Sequence, residues 1–138
     1  MSGFKRYGAF FLLGGVLYAC LELLWRGRTH WSMALTGGLC MAVLRYISLH
    51  CRSISVWSRA LIGCAFITLA EFLVGLAVNL ALGWKVWDYS GMPLNFMGQI
   101  CLSYCALWYI LCFPGMYLCD LVEKRVLSPL LALKEGQK

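Results

Sequence analysis

The chain has 138 residues, 62% of them apolar and 13% charged, with eight cysteines and a formal charge of +6. Soluble globular domains carry roughly 25% charged residues, so an ordinary soluble domain is excluded, and the length suits one membrane domain.

A helix crossing a bilayer needs about 20 apolar residues, and four such runs follow one another at 7–25, 31–49, 60–82 and 96–119. They predict an all-α membrane protein with a four-helix transmembrane domain over 1–119 and a tail over 120–138. The first run follows Lys5 and Arg6 and has the outline of a signal peptide, with Leu17-Tyr18-Ala19-Cys20 near a lipoprotein cleavage box. Tyr18 is bulky where a small residue is usual, and the apolar run continues through Glu22 to Trp25, so a retained anchor is the better reading. Glu22 and Arg26 lie four apart on one helix face and are spaced to pair, in a structural or a binding role. The loop after them carries His30, able to exchange protons near neutrality or to bond a loop carbonyl.

The third run holds Glu71, Gly75 and Asn79 at i, i+4 and i+8, a carboxylate, a gap and an amide along one face. They wall a cavity or bond helices together. The following loop contains Trp87, Asp88 and Tyr89: interfacial anchors, or a carboxylate between rings suited to a cation. In the fourth run Gly98, Cys105, Cys112 and Cys119 recur every seven residues, a seam of small side chains for close helix packing. The cysteines lie mostly within spans and show no metal or redox spacing, so no metal and no cofactor is expected. The tail extends the last helix to Pro129, then either lays Leu130, Leu131 and Leu133 on the membrane with Lys134 and Lys138 near head groups, or is solvated.

Charge sets the orientation. Nine of the twelve Lys and Arg residues flank the termini and the middle loop, whereas Arg26, Arg28 and Lys85 fall on the other side. Both termini are thereby placed in the cytoplasm, and the basic excess is not a nucleic-acid surface. The two halves also resemble each other. The stretch from Ala19 to Leu24 parallels Thr68 to Leu73, and Met33 to Met41 parallels Met92 to Leu102, which predicts two parallel hairpin repeats with Glu22 and Glu71 in equivalent places. A carboxylate in hydrocarbon costs at least ~2.5 kcal/mol, so both glutamates mark a polar interior.

The strings RGRTHWSM followed by GGLC, EFLVGLAVN, and WDYSGMPLNFMGQICLSYCALW resemble the three blocks of the CmpB-like, type IV ABC-transporter permease family, over roughly residues 7–119. The resemblance implies a polytopic protein of the bacterial cytoplasmic membrane, and its motif positions include Glu22, Arg26, Gly27, His30, Trp31, Glu71, Gly75, Asn79, Trp87, Asp88, Tyr89, Ser90, Asn95, Gly98 and Gln99. The chain has no phosphate-binding loop, so an ATPase would be a separate subunit. Four spans make a thin wall, so transport requires a homo-oligomer or other membrane subunits.

Three readings follow. The first is a transporter or permease component whose outward-opening site binds a proton or a small cationic or amphiphilic substrate through Glu22, Arg26, His30, Glu71, Asn79, Trp87, Asp88, Tyr89, Asn95 and Gln99. The second is an intramembrane enzyme acting on a lipid or isoprenoid, which needs His30 and an acid to converge. The third is a non-catalytic scaffold or assembly factor.

Overall fold

The computed structural model describes residues 3–130, and the readings made for Leu131, Leu133, Lys134 and Lys138 lie outside them. Four helices are long and apolar enough to cross a membrane. α1 spans Gly3–Arg26, α2 Trp31–His50, α3 Val56–Gly75 and α4 Leu102–Val122. Two helices continue as wider π turns, α3 over Leu76–Ala81 and α4 over Glu123–Leu127.

Local chemistry sets the ends. Gly27 takes φ +67° after α1 and donates its N–H to the Leu23 carbonyl at 2.9 Å, a left-handed termination that glycine adopts without a Cβ penalty. His30 starts α2 by accepting the Ser32 N–H, and Ser55 starts α3 by accepting the Ser58 N–H at 3.1 Å. The segment 96–101, read from hydropathy as the start of the fourth span, lies outside the helix. Asn95–Phe96 and Ile100–Cys101 pair as two short antiparallel strands, β1 and β2, before α4 begins. Gly98 therefore does not belong to the cysteine seam. It sits in the β1–β2 turn at φ +68°, where a Cβ would come within 3.1 Å of Asp88.

α2 is the central helix. Of its most apolar stretch 56% is buried, against 17–22% for the other three, whose outer faces are apolar all round as lipid requires. α1 crosses it through glycines. A Cβ on Gly15 would stand 2.9 Å from the Ala34 carbonyl oxygen, and one on Gly38 2.6 Å from the Phe11 carbonyl oxygen, so the two backbones touch. On α4, Cys112 and Cys119 are fully buried, Cys112 beneath Gly63 and Cys119 with its Sγ 3.7 Å from Met41 Sδ. They pack as small apolar residues. All eight cysteines are free thiols.

At the end of the bundle away from His30, charge ties three helices together. Arg45, 2% exposed, meets Glu123 at 2.7 Å, and Arg6 meets the other Glu123 oxygen at 2.5 Å. Asp120 accepts from Ser48 at 2.6 Å and from Arg52 at 3.3 Å. The Arg45 guanidinium lies 4.6 Å from the Phe10 ring centroid, so a ring face shares the task of holding a buried cation whose Nε and Nη1 take no hydrogen bond.

Candidate functional site

Both intramembrane glutamates are buried, Glu22 at 6% and Glu71 at 3% exposure, but their surroundings differ in charge. Glu22 pairs with Arg26 one turn later and accepts from Thr29 Oγ1 at 2.7 Å, which closes the α1–α2 loop over it. Arg26 also donates to the Val86 carbonyl at 3.4 Å, reaching the loop that precedes β1. Among the described residues no cation pairs with Glu71. Its two oxygens accept from the Tyr89 hydroxyl at 3.1 Å and the Trp108 indole N–H at 2.9 Å, both neutral donors. Burial, reinforced by the neighbouring Glu71, raises the Tyr89 phenol above its ordinary value, so it stays protonated and donating.

The long loop after α3 is held by an amide lock. Asn79, in the π turn, donates to Gln99 Oε1 at 2.9 Å and accepts the Val86 N–H at 2.7 Å. Trp87 donates its indole N–H to the Gln99 carbonyl at 2.9 Å, and Gln99 donates to the Met97 carbonyl at 2.9 Å. Gly75 leaves room for this lock. A Cβ there would fall 2.6 Å from Gln99 Oε1 and 3.0 Å from the Trp87 ring. Asn95 ties the far side, donating to Met92 O and accepting from Gly98 N. Lys85, Leu94 and Met97 all take positive φ, a sparsely populated conformation that these bonds hold in place.

Two contiguous cavities lie against the carboxylates. The first, about 330 Å³, is half open and has the Glu22–Arg26 pair, Trp87, Tyr89 and Tyr104 on its walls. The second, about 230 Å³ and no less open, lies among all four helices and reaches Glu71. Tyr18, Leu21, Met33, Trp108 and Leu111 line both. The Tyr18 and Trp108 rings stand 6.0 Å apart at that junction, and Tyr104 stacks on Tyr89 at 4.6 Å.

Of the ten residues expected from sequence to form the site, Glu22, Arg26, Glu71, Trp87 and Tyr89 border these cavities. Asn79, Asn95 and Gln99 instead build the loop that carries Trp87 and Tyr89. Asp88 is exposed and accepts from the Ser90 N–H at 2.8 Å, so it caps a turn and does not close an aromatic cage. Its bonds to Ser90 hold its carboxyl below the ordinary value. His30 bonds Ser32 and packs against Trp31 and Trp84, at centroid distances of 5.4 and 5.3 Å, with no carboxylate as partner. Trp108, Tyr18 and Thr29 were not legible, because an aromatic in an apolar span or a threonine in a short loop has no spacing that separates a ligand from a packing residue. Among the described residues no group of three His, Cys, Asp or Glu converges as a metal site would require.

The family described as "Putative ABC-transporter type IV" matches residues 10–133. No solved structure matches the chain.

Proposed function

From the premise that the chain belongs to the "Putative ABC-transporter type IV" family, we propose that it is the membrane-embedded component of a transporter that binds a small cationic amphiphile, with Glu71 taking the positive charge. A multi-pass membrane protein of an ABC-transporter-type family supplies the setting. The observation that carries the substrate class is the uncompensated carboxylate. Glu22 has Arg26, whereas Glu71, equally buried, has only the neutral donors Tyr89 and Trp108. A carboxylate in hydrocarbon without a counter-charge holds a proton or takes a cation. A proton and an organic ammonium therefore compete for Glu71, which couples substrate occupancy to proton exchange. The half-open, aromatic-walled cavity above supports an amphiphile over a hydrated metal ion, because ring faces and apolar side chains favour an alkylammonium.

The arrangement of charge along the chain supports a bacterial cytoplasmic membrane location with both termini inside, so that the Arg26 end opens outward. Any ATPase would be a separate subunit, and a homo-oligomer or further membrane subunits would complete the pathway.

The test is equilibrium binding of hexylamine, hexanol and hexanoate to the full chain in nanodiscs. Hexylamine should bind best, with affinity falling at least about tenfold, ~1.4 kcal/mol, in Glu71→Gln, and weakening as pH falls because protons compete. Equal binding of hexanoate, or hexylamine binding indifferent to Glu71→Gln, would sink the assignment.

A further inference from the structure

The second cavity continues from the amine site as an apolar lane. Its walls recur at helical spacing on four elements, Gly14 to Leu21 on α1, Met33 to Leu44 on α2, Ile67 and Glu71 on α3 and Trp108 to Leu118 on α4. Glu71 is its only ionisable carboxylate, and the hydroxyl of Thr36 is already spent on the Ser32 carbonyl at 2.8 Å. Apart from the Tyr18 hydroxyl at its mouth and the Cys40 thiol, the rest of the lining is apolar and does not repay burying a polar ligand group. Small residues keep it open at both depths. A Cβ on Gly115 would come within 2.9 Å of a Leu44 methyl, and Pro114 beside it interrupts the α4 hydrogen-bond ladder.

We propose that this lane receives a single unbranched alkyl chain, so that the substrate is a long-chain primary amine whose ammonium sits at Glu71 and Glu22 and whose tail runs toward Leu44 and Leu118. The inference rests on the amine-binding reading and adds the tail to it. Charge complementarity selects the head, since two carboxylates face one guanidinium across the cavities. Continuity places the tail, because Tyr18, Leu21, Met33, Trp108 and Leu111 line both cavities and so join the head site to the lane. Length follows from helix rise. From Glu22 to Gly14, α1 climbs about 12 Å at 1.5 Å per residue. An extended chain advances roughly 1.2 Å per bond, one third of the ~3.6 Å spanned by a three-bond residue, so about 10 bonds fill the lane.

The test is photolabelling of the full chain in nanodiscs with a twelve-carbon alkylamine bearing a terminal diazirine, with labelled residues mapped by mass spectrometry. Hexylamine competition and Glu71→Gln are run alongside, with Leu118→Trp and Gly115→Val as independent plugs at the far end in case either fails to fold. Labels should cluster at Leu44, Gly115 and Leu118, compete with hexylamine, and move toward Leu17 in a plugged variant. Labels on lipid-facing side chains such as Leu12 and Leu61, with hexylamine competition and Glu71 dependence intact, would overturn the tail lane and leave the amine site standing. Labelling indifferent both to hexylamine and to Glu71→Gln would overturn the two together.

Discussion

Glu71 illustrates how one residue's chemistry depends on donors from distant parts of the chain. Tyr89 lies in the loop and Trp108 on α4, yet each satisfies one oxygen of a carboxylate on α3. Replacing either donor, as Trp108→Phe or Tyr89→Phe, leaves a buried acceptor partly unsatisfied, and each should cost about 1–3 kcal/mol. Thermal unfolding in detergent would record this as a lowered midpoint, with Glu71→Gln recovering part of it in Tyr89→Phe. Asp88 gives the pH prediction. Its carboxyl lies below the ordinary value of 3.8 because Ser90 bonds the charged form, and a depressed value stabilises the fold above the unfolded value and is lost as pH falls through the folded one. The Ser90 turn should therefore stay intact at pH 5 and loosen only below about pH 3.8, read by amide exchange at Ser90. Exchange that accelerates already between pH 7 and 5 would contradict the assignment.

At the scale of elements, the amide lock and the glycine crossing do the positioning. Asn79→Leu removes a donor and an acceptor that together hold Gln99 and the Val86 backbone, so amide protection at Val86 and Trp87 should fall while the α1–α2 hairpin keeps its own. Gly38→Leu should separate α1 from α2, because its Cβ would lie 2.6 Å from the Phe11 carbonyl and 3.0 Å from its ring; overpacking of this kind costs about 1–3 kcal/mol or more. Four apolar helices were legible from hydropathy alone, because lipid demands long apolar runs. The start of α4 was not, because Phe96, Met97, Ile100 and Cys101 run on into the apolar span. Its turn signals, Asn95 and Gly98, were legible as polar and small residues but not as the β1–β2 turn they form. Both carboxylates were legible because their cost in hydrocarbon marks them. Their different surroundings were not, since Tyr89 and Trp108 reach Glu71 only through tertiary packing.

For the whole molecule, the charged cluster at one end and the cavity at the other divide the labour of stability and binding. The Arg45–Glu123 pair is buried, and breaking it with Arg45→Met should destabilise by about 3–5 kcal/mol, whereas Arg45→Met with Glu123→Met should recover much of the loss. Amine binding at the opposite end should survive in the double variant. The uncompensated Glu71 remains the centre of the account, and native mass spectrometry of protein extracted gently from its own membranes, wild type beside Glu71→Gln, tests it most directly. The account predicts a bound amine-bearing small molecule on the wild type that is missing from Glu71→Gln, with the same subunit partners on both. A wild type that carries no ligand, or a ligand retained equally by Glu71→Gln, would contradict it.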